Sequence, residues 1–267
     1  MKLGVTVMWD RTILKGNARQ ALSGGRYWTA YAVCIISSLI SSIFVIIDRF
    51  FETTPFNIQI IMDPYKYYLY LESQKDKTSW TGFPSFLLFV FVALPLSVGI
   101  ARFFVRNRFG ETKLETLFSS FRGSYASTVG GMFTTILFNF LWFFVFIIPG
   151  FVKAMEYSMV RFILSDNPSI PGSRAREISR MMTNGEKGAI FVLYLSFLGW
   201  YLLAVIAAAA VGWLFWPVSG IASVATSSFV TAYEEAAFAE LYIFLRDRAL
   251  QCGMVQPAEL GLVPPAV

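Results

Sequence analysis

The sequence predicts an all-α integral membrane protein, a helical bundle of about six transmembrane helices. The helices are expected to form three hairpins, each preceded by a cytoplasmic amphipathic helix. Hydrophobic residues make up 56% of the 267 residues and charged residues 15%, whereas soluble domains carry roughly 45–50% apolar and about 25% charged residues. Long apolar runs also alternate with short stretches rich in lysine and arginine. We therefore expect one membrane-embedded domain, residues 1–250, followed by a flexible cytoplasmic tail, residues 251–267.

A short amphipathic segment precedes each predicted hairpin, with apolar residues along one face. The three segments are Asp10–Leu22, Thr112–Phe121 and Ser173–Asn184. Thr112 and Glu115 have the spacing of a capping box. Gly24, Gly25 and Gly185 follow the first and third segments, where they predict helix ends. The threefold pattern indicates an internal repeat of the kind common in transport folds, although any chain with cytoplasmic joints and an even number of crossings gives a similar pattern.

Six segments are predicted to cross the bilayer, because a helix needs about 20 apolar residues to span a hydrocarbon core about 30 Å thick. They are Tyr27–Ile47, Phe83–Val105, Val129–Ile148, Pro149–Leu164, Ala189–Gly212 and Trp213–Tyr233. The fourth is short and charged, but the basic stretches 102–122 and 174–187 both belong in the cytoplasm by the positive-inside rule. An even number of crossings must therefore separate them. Pro149 and Gly150 are predicted to break the chain between the third and fourth spans.

The same rule predicts that both termini lie in the cytoplasm and that the loop 48–82 lies outside. Five aromatic residues from Tyr65 to Trp80 suit the headgroup region of a bilayer. Asp63 and Pro64 predict the N-cap and first position of a short surface helix. The loop is either a ligand-gating element or an aromatic belt lying on the membrane, and the aromatic belt is the simpler interpretation.

The fourth predicted span contains a candidate intramembrane polar site. Lys153 and Glu156 are three residues apart, so they share a helix face and are expected to pair, with Tyr157 beside them. Arg161 is expected to reach the inner interface. Asn139 in the third span is a second buried polar residue. Two interpretations are open. In the functional one, these residues hold a substrate group or relay a proton. In the structural one, Lys153 and Glu156 satisfy each other and Asn139 forms an interhelical hydrogen bond.

The basic faces of the first and third amphipathic helices are a candidate lipid-facing surface. Its residues are Arg11, Lys15, Arg19, Arg174, Arg176 and Arg180. Each cation near an acidic leaflet contributes on the order of 1 kcal/mol to binding. Ordinary positive-inside anchoring explains the same residues without a specific lipid. Glu234 and Glu235 follow the last predicted span, and we expect them at a solvated helix end.

The composition argues against catalysis and against a bound metal or cofactor. Histidine is absent, which removes the commonest general base and a frequent metal ligand. Cys34 and Cys252 have no partner at metal-ligand spacing and are expected to be free thiols. No phosphate-binding glycine loop or nucleophile elbow is present in the sequence. The net charge of +5 is accounted for by membrane orientation, so nucleic-acid binding is not predicted.

Several sequence blocks together resemble a bacterial family labelled domain of unknown function 975. The blocks are Ala18–Leu22, Val98–Phe104, Ile148–Ala154, Tyr157–Met159, Leu164–Pro168, Ser179–Met182 and Leu193–Trp200. The chain departs from the family pattern near the last span, at Trp216-Pro217 and at Ala237–Glu240. The resemblance implies a bacterial polytopic membrane protein, and it transfers no activity because the family has none assigned.

The function expected from these observations is that of a non-enzymatic, multi-pass protein of the bacterial cell membrane. A transport-associated role or a role in envelope homeostasis is the leading hypothesis. The alternative is a membrane scaffold that docks a cytoplasmic or membrane partner through its basic interfacial helices. The lipid bilayer is the expected partner, and a membrane protein partner or a homo-oligomer is also considered.

Overall fold

A computed structural model describes residues 9–51, 62–75, 82–214 and 219–262, and every regular element in these ranges is helical. The α-helices are α1 (Arg11–Ala21), α2 (Arg26–Phe51), α3 (Pro64–Lys75), α4 (Gly82–Arg108), α5 (Tyr125–Val145), α6 (Ile147–Glu156), α7 (Val160–Asp166), α8 (Gly172–Met182), α9 (Lys187–Leu214) and α10 (Ser219–Gln251). Helix α4 contains a π-helical turn at Phe89–Ala93. A first 3₁₀ helix covers Leu114–Phe121 and a C-terminal 3₁₀ helix covers Pro257–Leu260.

Three of the described helices, α4, α5 and α9, are long and apolar enough to cross a membrane. They match the predicted second, third and fifth spans, and α2 covers the predicted first span. The predicted boundary between the fifth and sixth spans is wrong, because α9 continues through Trp213 to Leu214 and α10 begins at Ser219. Gly212, the predicted end of the fifth span, is buried in the last turn of α9.

The predicted fourth span is not one helix. Its residues form α6 and α7, separated by a turn at Tyr157–Met159. The predicted break at Pro149 is also displaced, because the chain reverses at Phe146, whose backbone is extended with φ −155° and ψ 139°. Pro149 lies in the first turn of α6, where a backbone N–H has no helical acceptor and proline is tolerated. Residues 125–156 therefore form a helical hairpin with a one-residue connection.

The first and third of the three predicted amphipathic segments are α-helices, α1 and α8, as predicted. Asp10 caps α1 by accepting a hydrogen bond from the Thr12 backbone N–H (2.7 Å). Gly24, Gly25 and Gly185 have φ of 66°, 86° and 83°, a left-handed conformation that ends helices and favours glycine.

The middle amphipathic segment differs from its prediction. It is a 3₁₀ helix that begins at Leu114 after Lys113, without a side-chain cap, so the predicted capping box of Thr112 and Glu115 is absent. The reason lies in its neighbour α4. A Cβ atom added to Gly99 would lie 1.9 Å from the carbonyl oxygen of Leu117. The two backbones are in direct contact, and this contact fixes the conformation of the short segment.

The packed core lies towards one end of the bundle. Phe103 of α4, Phe162 of α7, Ile178 of α8 and Tyr242 of α10 are fully buried there. The Tyr242 hydroxyl donates to the Asp166 carboxylate (2.6 Å), so the end of α7 is tied to α10. This end therefore combines apolar packing with satisfied polar contacts, as expected for a protein interior.

Apolar side chains cover the outside of the other end. Phe144 at the tip of the α5–α6 hairpin is 84% exposed, and Trp213 at the end of α9 is 89% exposed. Further large apolar side chains are exposed along both helices, at Leu137, Phe140, Leu141, Leu198, Leu202, Val205 and Ile206. A continuous apolar surface of this size marks a membrane or partner contact.

The predicted outer loop and tail are described in part. Asp63 and Pro64 begin the expected short helix α3, and the Asp63 carboxylate accepts from the Tyr65 backbone N–H (3.0 Å); residues 52–61 and 76–81 of the predicted loop lie outside the described residues. Of the predicted tail, 251–267, the structure describes residues 251–262, and the flexibility of this segment stays a prediction. Val255 and Leu260 are buried there and belong to the hydrophobic core.

Candidate functional site

The predicted pair of Lys153 and Glu156 is present at the end of α6. The Lys153 ammonium lies 2.6 Å from Glu156 Oε2, and the Glu156 side chain is 5% exposed. Lys187, the first residue of α9, donates to the other oxygen, Glu156 Oε1. The Ser179 hydroxyl of α8 donates to the Glu156 carbonyl oxygen (2.6 Å). Both carboxylate oxygens are paired, so this cluster joins α6, α8 and α9 and has the partners that a buried charge requires.

The two other residues of the predicted polar site belong to the same stretch of chain, residues 125–157. Tyr157 is half-buried and ends α6, where its backbone N–H donates to the Lys153 carbonyl oxygen (3.0 Å). Asn139 is on α5, and its Oδ1 atom is buried with no hydrogen-bond partner in the described part of the chain. This oxygen is therefore an unused acceptor, and the interhelical hydrogen bond expected of Asn139 stays a prediction.

A second charged cluster lies where α7, α9 and α10 meet. The Arg161 guanidinium on α7 is 2.5 Å from Glu235 Oε1 on α10. The Tyr201 hydroxyl of α9 donates to the carboxylate of Glu234 and lies 3.1 Å from the Thr231 hydroxyl. Glu235 Oε2 is buried without a hydrogen-bond partner among the described residues. One guanidinium thus faces two adjacent carboxylates, which leaves an excess of negative charge and one unused acceptor.

This second cluster corrects the expectation for Glu234 and Glu235. They were expected at a solvated helix end, but α10 continues for four further turns to Gln251, so both lie in mid-helix, with Glu235 buried and Glu234 half-buried. The Arg161 guanidinium turns to Glu235, and its side chain is 21% exposed. Its predicted reach to the inner interface stays a prediction. The sequence signal for this longer helix was the mainly apolar stretch 236–245 that follows the two glutamates. This stretch packs in the core, so the helix continues beyond Glu235.

The predicted basic surface is divided between two places. On α8, Arg174 pairs with Glu259 (2.9 Å) and with Glu177 (2.8 Å). The hydrogen bonds to these two carboxylates raise the pKa of Arg174. The hydrogen bond from Arg174 in turn lowers the pKa of Glu259. Arg176 donates to the Thr134 hydroxyl of α5 (2.8 Å). Arg174 and Arg176 thus hold the chain together, while Arg180 is exposed on the same helix.

The basic residues of α1 lie beside α9 and α10. The Lys15 ammonium donates to the Ser196 carbonyl oxygen (3.4 Å) and lies 4.3 Å from the centre of the Phe197 ring. The Arg19 guanidinium lies 5.7 Å from the centre of the Tyr233 ring. Arg11 is exposed on the same side of α1. Burial, and then the charges of Arg11 and Arg19, lower the pKa of Lys15.

Comparison with known proteins agrees with the blocks described above. The model of a family described as protein of unknown function (DUF975) matches residues 8–248. The chain belongs to this family. No curated protein and no solved structure matches the DUF975 chain.

The sequence predicted only some of the residues in the candidate site of this DUF975 chain. Lys153 and Glu156 pair as predicted, but Lys187 was missed because 31 positions separate it from Glu156. The cluster of Arg161, Glu234 and Glu235 was also missed as a unit. Tertiary packing between α7 and α10 creates it, and neither spacing nor local pattern reports such a contact.

Proposed function

We propose that the chain is a non-enzymatic, multi-pass protein of the bacterial cell membrane that acts in transport or in envelope homeostasis. It crosses the bilayer six times as three hairpins, and both termini lie in the cytoplasm. Residues 125–166 supply the middle hairpin, with α5 leading out and α6 followed by α7 leading back. The apolar outer surfaces of α5 and α9 face lipid, and the packed end faces the cytoplasm.

The contacts at the packed end support this topology. The Asn107 amide at the end of α4 donates to the Ala21 carbonyl oxygen of α1 (3.2 Å). Arg248 of α10 pairs with Glu186, which precedes α9 (2.6 Å). The joints between predicted hairpins and the C-terminal part of the chain therefore meet at one end. Lysine and arginine concentrate in these joints, as cytoplasmic segments do.

The cluster of Arg161, Glu234 and Glu235 carries the transport part of the proposal. Ionisable groups within apolar helices are costly to bury and mark substrate or proton pathways. Here the carboxylates outnumber the guanidinium, and Glu235 Oε2 has no hydrogen-bond partner within the described residues. Such a site suits a proton or a small cation. The scaffold alternative has less support, because Arg174 and Arg176 of the basic surface are engaged within the chain.

The topology can be tested with the native thiols. Cys252 is exposed and Cys34 is buried, so a thiol reagent that does not cross membranes should label Cys252 alone. We expect labelling only after the membrane is permeabilised, and no labelling of Cys252→Ser. Ser169→Cys in the Cys252→Ser background should behave in the same way, because the turn that contains it follows the return helix α7. Labelling of either thiol on intact cells would contradict the six-crossing topology.

The transport role can be tested with the purified full chain in phospholipid vesicles that contain a pH-sensitive dye. Vesicles with the protein should lose an imposed pH gradient faster than protein-free vesicles. Glu235→Gln should slow this loss, since it removes the ionisable group with the unused oxygen. The exposed Glu115→Gln is the matched control and should equal the wild type. Equal rates for wild-type and protein-free vesicles, or for Glu235→Gln and Glu115→Gln, would contradict the proposal.

A further inference from the structure

A groove runs between α1 and the helices α2, α9 and α10. Its first part has a volume of about 440 Å³ and is lined by Arg19, Tyr27, Trp200, Phe229 and Tyr233, among others. A second part, of about 430 Å³, is lined mainly by Arg11, Lys15, Arg19 and Ser196. Arg19 belongs to both linings, so the two parts adjoin along one face of α1.

The second part of the groove is cationic. Arg11, Lys15 and Arg19 are spaced four residues apart, so they lie along one face of α1. No carboxylate is among the described residues that line either part of the groove. The ammonium of Lys15 has only the Ser196 carbonyl oxygen and the Phe197 ring as close partners in the described structure. Three positive charges therefore converge without a counter-charge, in contrast to Arg174 on α8, which has two glutamates. This arrangement is complementary to a phosphate group.

The first part of the groove is aromatic and open on one side. Trp200 of α9 is 56% exposed and Phe229 of α10 is 40% exposed, and both face the groove. Tyr27 and Tyr31 of α2 stack on the Phe229 ring, with ring centres 6.3 Å and 4.2 Å apart. The aromatic wall is therefore held in place by packing. It leads from the cations of α1 to the apolar surface of α9.

We infer that this groove binds one anionic phospholipid, with its phosphate on Arg11, Lys15 and Arg19 and an acyl chain against Trp200 and Phe229. A charged wall followed by an apolar wall matches an amphiphile better than a free anion or a protein segment. The inference rests on the membrane location proposed above and not on the transport role. The inference depends on the two features together, because neither the basic face nor the aromatic wall would by itself distinguish this groove from the rest of the surface.

The test is native mass spectrometry of the detergent-purified full chain, titrated with phosphatidylglycerol, with phosphatidylcholine of the same acyl chains, or with inorganic phosphate. One phosphatidylglycerol should bind preferentially. Arg19→Gln should weaken this binding about fivefold, as expected for the loss of one cation beside an anionic lipid. The control Arg180→Gln removes an exposed arginine from α8 and should leave the affinity unchanged. Trp200→Ala should weaken binding of phosphatidylglycerol, whereas Trp213→Ala, at the far end of α9, should not.

Three results would overturn the inference. The first is equal binding of phosphatidylglycerol and phosphatidylcholine. The second is an equal loss of affinity in Arg19→Gln and Arg180→Gln, which would indicate general attraction to the basic surface. The third is inorganic phosphate binding as tightly as the lipid, which would leave no role for Trp200. Since binding is measured in detergent, these outcomes are independent of the proton-flux and topology experiments.

Discussion

Replacing Gly99 by alanine tests a close contact between two backbones, which movement of side chains cannot relieve. The added Cβ would lie 1.9 Å from the Leu117 carbonyl oxygen and 2.8 Å from its carbonyl carbon. Ordinary contact begins at 3.4 Å, so α4 and the first 3₁₀ helix would have to separate by about 1.5 Å, the difference between 3.4 and 1.9 Å. Because the obstacle is backbone, this separation displaces the whole 3₁₀ helix.

The expected loss of stability follows from two opposing effects. Overpacking of a well-packed site costs about 1–3 kcal/mol, and a backbone obstacle favours the upper value. Alanine is favoured over glycine within a helix by about 1 kcal/mol, which offsets part of this cost. We therefore expect Gly99→Ala to lower the free energy of unfolding by about 2 kcal/mol. The control is Gly199→Ala in α9, where no atom lies within 4 Å of the added Cβ, so it should be neutral or stabilising.

The assay is denaturant unfolding of the detergent-purified chain, followed by far-ultraviolet circular dichroism. A lower midpoint for Gly99→Ala, together with an unchanged or higher midpoint for Gly199→Ala, is the expected result. Equal midpoints for the two variants would refute the reasoning, because they would mean that α4 and the 3₁₀ helix are not in backbone contact at Gly99.

Two further predictions concern charged contacts. Arg161→Met should destabilise the chain by about 3–5 kcal/mol in the same assay, because it leaves Glu235 buried and unpaired. The double variant Arg161→Met/Glu235→Leu should recover most of this loss. If Arg161→Met has no effect on stability, the pair is not buried. Arg174 lowers the pKa of Glu259 below its usual 4.5, so their contact is fully present above pH 4.5 and is lost as the pH falls through the lower folded-state pKa. An environment-sensitive probe on Cys252 should report this release in acid, and Glu259→Gln should abolish the transition; a transition that persists in Glu259→Gln would contradict the assignment.

Local signals in the sequence predicted several helix ends, although not the capping box of Thr112 and Glu115. Asp63 caps α3, and Gly24, Gly25 and Gly185 adopt the left-handed conformation that ends helices. These features depend on the backbone and side chains of a few neighbouring residues. Since the neighbours are adjacent in the chain, their chemistry is visible before any tertiary structure is known.

Contacts between distant segments could not be predicted in the same way. The reversal of the middle hairpin illustrates this, because Phe146 is the extended residue although Pro149 and Gly150 give the stronger local signal. Gly150 serves close packing instead, since a Cβ atom there would lie 2.5 Å from the Phe143 ring of α5. A glycine selected for packing and a glycine selected for a turn look alike in the sequence. Only the path of the neighbouring helix separates the two roles.

Helix α10 connects the two proposed sites. Tyr233 lines the groove, and its hydroxyl donates to the Lys15 carbonyl oxygen of α1 (3.3 Å). The next two residues, Glu234 and Glu235, contact α9 and α7. Residues 233–235 lie within one helical turn, so one wall of the groove and both carboxylates belong to the same stretch of α10. Coupling between binding sites is reciprocal. If lipid binding changes the proton affinity of this cluster, protonation of the cluster must change the affinity of the groove for the lipid by the same factor.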